Sequence, residues 1–391
     1  MIFRTLQLNE FRNFDRLQLK LLPRVNFFVG ENGQGKTNLL EAVYLLCRGK
    51  SFRPTNPESF LRRTEEGPVE AAKVLADAVG GEALNLDHKI EIKLEPGLRT
   101  SFVDGKRVVS GTLMSRFPIV LFSPESLSVI KDGPDERRSL IDEVILSHDQ
   151  KNGRVIREFT RALRARNRLL WQLAEGLGSR SNLVDSLESL SKIFLLLGTH
   201  LATARIASLR DLMPDLQEAM RFIFSGEPEN SSETSKLQIS VDYVISGDSA
   251  MQWSESQIYD ALHKRHSELA AQELSAGLSL VGPHKHDIKL LVSGNDSRFY
   301  CSQGQQRALI LALKIAQIVY HHRVHRTYPV LLLDDVMSEL DAKKRVNLMR
   351  FLDGISAQIL ITATDLTWPD QFGVGRSSVF EVVSGTVNRV T

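Results

Sequence analysis

Cysteine is nearly absent. The 391 residues hold two, Cys47 and Cys301, with no pairing pattern. That excludes a disulfide framework and points to free thiols in a reducing compartment. Net charge is scarce too: at +2, affinity for a polyanion has to come from local patches. Long hydrophobic runs are missing. Stretches such as Ile193 to Leu197 fall far short of the roughly 20 apolar residues that span a bilayer. Arg4 and Glu10 come too early for a signal peptide. No G-x-S-x-G elbow supports a serine hydrolase. His284, His286, His321, His322 and His325 invite a zinc reading, but no cysteine cooperates and the spacings fit no standard ligand set. Internal repeats and long low-complexity tracts are also lacking. What remains is ordinary: 42% hydrophobic and 25% charged residues describe a globular chain. The expectation is a soluble, cytoplasmic protein with no membrane partner and room for one large domain or two to three smaller ones.

The pattern along the chain is α/β. Ile2 to Leu8 alternates, as do Leu17, Leu19 and Leu21, and Val25 to Val29 reads as a short buried strand. A helix fits Thr37 to Leu46. Glu70 to Leu94 is strand-rich, and Pro118 to Phe122 is another buried strand. From about Pro134 the character turns helical, through Arg154 to Leu177 and Leu183 to Leu212. A polar loop at Ser225 to Ser235, a strand at Leu237 to Val244 and a helix at Ser254 to Leu274 follow. Strands return at Asp287 to Val292, Val330 to Leu333, Gln358 to Ile361 and Ser378 to Val383. The division expected is a lobe I formed by residues 1–125 and 276–391 around a helical lobe II at residues 126–275.

Two half-motifs sit at opposite ends. Gly30 to Thr37 reads GENGQGKT, between a strand and a helix, the context a phosphate-binding loop requires. Gly30, Gly33 and Gly35 let the backbone wrap phosphates. Glu31, Asn32, Gln34 and Asn38 complete the nucleotide-binding stretch. Lys36 is expected to reach the β- and γ-phosphates of ATP, and Thr37 to bind magnesium. At the far end, Val330 to Asp335 reads VLLLDD. Asp334 fits a magnesium ligand and Asp335 a general base, giving Lys36, Asp334 and Asp335 as the catalytic set. A strand-end pair that caps the next helix is the plainer reading. Between the halves, Cys301 to Gln306 reads CSQGQQ before a helix. Ser302, Gly304 and Gln305 form a second anion-binding tip, sensible if it serves another protomer's nucleotide, or a simple helix cap.

This combination resembles the ATP-binding-cassette heads of the SMC and Rad-type repair ATPases. It is more similar still to the RecF family of bacterial recombination mediators. Phe11-Arg12-Asn13-Phe14, Gly49-Lys50-Ser51-Phe52-Arg53 and Gly133-Pro134 with Arg137-Arg138 carry that likeness. So do Arg166-Asn167, Gly282-Pro283-His284-Lys285-His286-Asp287 and Ser338-Glu339-Leu340-Asp341. The resemblance runs from Phe3 to about Thr364. It implies a cassette-type α/β head, ATP and Mg2+ as cofactors, and a homodimer formed on ATP binding with Ser338 and Asp341 at its interface. It also implies binding to single-stranded, gapped or junction DNA, RecR- and RecO-type partners, and a role in repair, replication and the SOS response.

Three departures from the wider cassette pattern weaken the engine. The second carboxylate is Asp335 rather than glutamate, no glutamine lies in Pro118 to Pro124, and Ala363-Thr364-Asp365 holds no switch histidine. Slow hydrolysis is expected, or none. For DNA, Arg154, Arg157, Arg161, Arg164 and Arg168 recur at three- and four-residue spacing and would line one helix face. A solvated face paired with acids is the plainer account. Arg48, Lys50 and Arg53 could serve ATP instead, and Lys343-Lys344-Arg345 reads as a solvated helix start. A transporter-type cassette is disfavoured by the long gap between Lys36 and Ser302, and a nuclease by the short stretch after Asp335.

Overall fold

All five residues of Val25–Val29 are buried, even Asn26, whose amide group exchanges hydrogen bonds of 2.8 and 2.9 Å with the Leu22 backbone. A strand buried on both faces belongs inside a parallel sheet covered on each side. The computed structural model describes residues 1–53, 56–80, 86–124, 126, 130, 133–148, 150–225, 238–364 and 377–390. The chain divides into two compact units: Met1–Ser128, Glu218–Asn230 and Arg307–Thr391 in the first, Val129–Gln217 and Ser231–Gln306 in the second.

The first stretch of the chain carries β1 (Ile2–Phe11), β2 (Phe14–Lys20), β3 (Val25–Val29), α1 (Lys36–Arg48), β4 (Arg63–Thr64), β5 (Gly67–Pro68), β6 (Ala72–Val79), β7 (Asp87–Glu95), β8 (Leu98–Val103), β9 (Lys106–Val108), α2 (Ser110–Arg116) and β10 (Ile119–Phe122). The middle carries α3 (Pro134–His148), α4 (Gln150–Ala174), α5 (Arg180–Ser225), β11 (Ile239–Ile245), β12 (Asp248–Ser249) and α6 (Glu255–Ala276). Then come β13 (Asp287–Val292), β14 (Asn295–Asp296), α7 (Ser297–Tyr300), α8 (Gln303–His325), β15 (Val330–Asp334), α9 (Ala342–Gly354), β16 (Ile359–Ala363), β17 (Ser377–Val383) and β18 (Thr386–Arg389).

In the first unit two six-stranded sheets share one core. The order β2-β1-β6-β7-β8-β9 is antiparallel. The order β10-β15-β16-β3-β17-β18 is parallel apart from β18. Leu39, Leu40, Val43 and Leu46 of α1 join Phe28 of β3 and Phe3, Leu6, Leu8, Ile90 and Ile92 of the antiparallel sheet in that core. The pairing of β1 with β6 shifts register between Phe3 and Thr5, a bulge that moves the buried set from Phe3 to Leu6 and Leu8. In the parallel sheet the carboxyl ends of β3, β15, β16 and β17 share one edge, where ligands bind in open α/β sheets.

The second unit contains α3, α4, α6 and a sheet ordered β12-β11-β13-β14. Its extent differs from lobe II as read from sequence. Residues 276–306 cluster with the helical unit because β13 pairs antiparallel with β11 from Val244↔Asp287 to Ile239↔Val292. Conversely, Glu218–Asn230 at the end of α5 cluster with the first unit. Among the described residues, the helix Arg180–Phe224 is long and apolar enough to cross a membrane, by length and composition only. Half of that apolar stretch is buried, and Ala202, Ile206, Leu209, Leu212 and Leu216 recur at the three- and four-residue spacing of a core helix. Most of the polar segment 225–235 and Asp365 lie outside the described residues.

Candidate nucleotide-binding site

The loop from Gly30 to Gly35 joins the end of β3 to the start of α1. Two glycines are sterically required. A β-carbon on Gly30 would stand 2.3 Å from the Val382 carbonyl oxygen. Gly35 has φ +110°, and a β-carbon there would meet the Asn13 amide at 2.4 Å. Gly35 is the N-cap of α1, which has no side-chain cap and no acid in its first turn. The N-terminal N–H groups and the positive end of the dipole are thus offered to an anion. Lys36 is buried and its Nζ donates to the carbonyls of Gly30 and Glu31, the latter at 2.8 Å. Burial lowers the Lys36 pKa, against the opposing pull of Asp335 and Asp334.

The acidic strand end meets this loop. Thr37 Oγ1 donates to Asp334 Oδ1 at 2.9 Å, and Thr362 Oγ1 lies 2.8 Å from the same oxygen. The Asp335 N–H donates to Thr362 Oγ1 at 2.9 Å. Asp335 itself takes φ +50°, a left-handed conformation that non-glycine residues seldom adopt and that clusters at functional sites. The two half-motifs therefore converge: a hydroxyl next to the loop lysine and a carboxylate from β15 share one hydrogen bond. That donor pair, hard oxygens beside a phosphate loop, suits magnesium. Thr362 escaped the sequence reading; its signal was a threonine next to last in the apolar strand Ile359–Ala363.

Glu41 was also missed, and it organises the back of the site. It has 0% exposure. Arg12 grips it through Nε and Nη2 at 2.8 and 2.7 Å, and Arg53 and Ser51 donate to it at 2.5 Å. Burial alone would raise its pKa, but hydrogen bonds from Arg12, Ser51 and Arg53 hold the carboxyl below its ordinary value. Arg53 also donates to Asn38 Oδ1 at 2.7 Å, Asn38 to Asn13 Oδ1 at 2.8 Å, and Asn13 to the Gln34 carbonyl at 2.9 Å. A continuous polar chain thus runs from Glu41 to the backbone of the phosphate loop. From the other side, the Ser384 N–H donates to Gln34 Oε1 at 2.6 Å. A cavity of about 530 Å3 adjoins the loop, lined by Gly30, Glu31, Gln34, Thr364 and Glu381 among others.

Ser302, in the second unit, closes a capping box on α8: its N–H donates to Gln305 Oε1 at 2.8 Å and its Oγ accepts the Gln305 N–H at 3.3 Å. Asp341 caps α9 through the Lys344 N–H at 2.9 Å, and Ser338 Oγ donates to the Asp335 carbonyl at 2.7 Å. Arg307 pairs with Glu339 at 2.6 Å. Of the arginines on α4, Arg154, Arg157, Arg161, Arg164 and Arg168 are all exposed, with Glu158 paired to Arg154 at 2.6 Å. Arg166 points the other way. It is 1% exposed and bonds Glu273, Ser279 and Ser191. Arg137 pairs with Asp287 at 2.8 Å, and Arg138 donates to the His286 carbonyl. Several motifs that carry the family likeness therefore meet inside the second unit. Cys47 is fully buried, and burial pushes its thiol up to about 12.

A model of the RecF/RecN/SMC N-terminal domain matches residues 2–372. The DNA replication and repair protein RecF of Heliobacterium modesticaldum is 33% identical, over 100% of this chain and 99% of that protein. Its counterpart in Geobacter metallireducens is also 33% identical, over 99% of each. A solved structure of the recombination mediator protein RecF with ATP, from the RecFOR pathway, is similar at a TM-score of 0.85 and 28% identity, covering 100% and 98% of the two chains. The Smc head domain of Pyrococcus furiosus, bound to the C-terminal domain of ScpA, shares the fold at a TM-score of 0.54 and 16% identity, over 100% of this chain and 96% of that one. A cassette-type head fold, a family model spanning nearly the whole sequence and end-to-end relatives at a third identity agree: the chain belongs to the RecF family.

Proposed function

We propose that this protein is an ATP-gated DNA clamp of recombinational repair and replication, acting at single-stranded, gapped or junction DNA with RecR- and RecO-type mediators in the cytoplasm. The observation that carries the reading is the convergence of Thr37 and Asp334 beside the phosphate loop. Names borne by full-length relatives, and an ATP-bound structure among the similar folds, support it.

In this reading the loop N–H groups and Lys36 hold the β- and γ-phosphates, and Thr37 with Asp334 holds magnesium. The metal, when bound, neutralises charge on the phosphate oxygens. Lys36 needs little movement, because its ammonium already lies inside the loop against Gly30 and Glu31. Asp335 orients the attacking water. Its side chain is one methylene shorter than glutamate, so hydrolysis is slow and ATP serves as a timed latch. A DNA-independent turnover above roughly ten per second, the median enzyme rate, contradicts this.

The latch is a homodimer in which Ser302, Gly304 and Gln305 face the partner's phosphates and Ser338 and Asp341 lie at the interface. A serine hydroxyl that accepts one N–H keeps its own proton, so Ser302 can cap α8 and still donate to an oxyanion. The exposed α4 arginines contact the DNA backbone. The test is binding to a gapped duplex across a salt series, with and without ATP. Lys36→Ala abolishes the ATP response, Asp335→Asn traps an ATP-bound dimer, and reversing Arg157 and Arg161 flattens the salt slope by about one unit per lost contact. Dimerisation unchanged by both site variants refutes the latch.

A further inference from the structure

The arginine face of α4 ends in an aromatic ring. Trp171 follows Arg168 by three residues and Arg164 by seven, continuing the spacing that separates Arg154, Arg157, Arg161, Arg164 and Arg168. Like those five it is exposed, at 51%. A helix rises about 1.5 Å per residue, so the arginines extend over about 21 Å and Trp171 lies about 4.5 Å beyond the last. The backbone under the ring is braced. Gly277, at φ +65° after α6, comes so close that a β-carbon would be 3.4 Å from Trp171 Cα, and the Ser279 N–H donates to Asn167 Oδ1 at 2.8 Å. The second unit thus anchors the helix here while leaving the largest side chain in solvent.

A row of guanidinium groups tracks phosphates without regard to sequence, and an aromatic platform in line with it accepts a base that is free to unstack. Bases within a duplex are already stacked and offer no face. We propose that Trp171 is a nucleobase-stacking site at the end of the α4 arginine face, selecting single-stranded nucleic acid at that end of the helix. This rests on the reading of the arginine face as a DNA-backbone contact.

The test uses the full-length protein with an oligo-dT strand and a duplex of equal length. Trp171→Leu keeps an apolar side chain at this point of α4 and weakens the single strand about tenfold, within the range of one base–aromatic stack, leaving duplex affinity unchanged. Trp171→Phe restores most of the loss. Single strand quenches tryptophan fluorescence in the natural protein and not in Trp171→Phe. Unchanged single-strand affinity in Trp171→Leu, while Arg157→Glu with Arg161→Glu weakens binding, overturns the stacking site alone. Equal loss on both probes also overturns it, and so would the outcome in which the patch takes a protein and no DNA affinity changes. If the arginine reversals leave all DNA affinity intact, the arginine-face reading fails and the stacking site falls with it.

Discussion

Glu41 in the nucleotide unit and Glu273 in the helical unit are both buried carboxylates clamped by arginine, at 0% and 1% exposure. Their partners differ in kind. Arg12 and Arg53 reach Glu41 from the turn after β1 and the segment after α1, and the network continues through Asn38 and Asn13 to the phosphate loop. Arg166, His266 and the Leu280 N–H reach Glu273 from α4, α6 and the turn after α6, and Arg166 goes on to Ser191 of α5. The first carboxylate transmits position to a site. The second fastens helices together.

Substitutions sharpen that contrast, beginning with the helical unit. Arg166→Met takes the guanidinium from buried Glu273 and leaves it only His266 and the Leu280 N–H; it is expected to lower stability by about 3–5 kcal/mol, whereas Arg166→Met with Glu273→Leu recovers most of the loss. Urea unfolding measures both; a double variant no better than the single one would show that the pair matters through shape alone. Glu41→Gln keeps the shape but deprives Arg12 and Arg53 of their anion. A stability loss of about 1.5–3 kcal/mol follows, together with weaker ATP binding by calorimetry. ATP affinity equal to that of the natural protein would place Glu41 with Glu273, as a fastener only.

Acid probes the same pair. Burial alone would raise the Glu273 carboxyl, but hydrogen bonds from His266 and Arg166 and the Arg166 charge depress it to about 2. An unfolded glutamate titrates near ~4.3. The pair therefore stabilises the fold fully above that pH, and the contribution disappears as pH falls toward 2. In Glu273→Gln this segment of the acid-unfolding profile is expected to flatten; an identical profile would assign acid sensitivity elsewhere. The smallest effect is expected at the caps. Ser302→Ala and Asp341→Ala each remove a helix N-cap, for about 1 kcal/mol by thermal melting. A further loss of ATP-dependent dimerisation in Ser302→Ala identifies the serine as more than a cap.

Local signals made the candidate nucleotide site legible. The phosphate loop, β3 and α1 are contiguous, and an apolar strand ending in Asp334 and Asp335 can only emerge at a sheet edge. Glu41 was invisible because an acid on an amphipathic helix reads as solvent-facing, while its partners come from positions 12 and 53. Arg166 stands among the same arginines in sequence, but two residues beyond Arg164 it falls on the opposite side of α4 from the exposed row. The lobe boundary moved because β13 looks, by sequence position, like part of the returning α/β half, yet pairs with β11.

The sheet order also sets a timetable. β3, which delivers the phosphate loop, pairs with β16 on one side and β17 on the other, and neither exists until the ribosome has passed Ile359 and Ser377. At roughly 5–20 residues per second, that delay is on the order of tens of seconds. Throughout it the apolar VNFFV segment has no strand to pair with. A prematurely terminated chain would carry every residue of the phosphate loop and still lack the frame that shapes it. Nucleotide binding is thereby expected to wait until β16 and β17 have both been made.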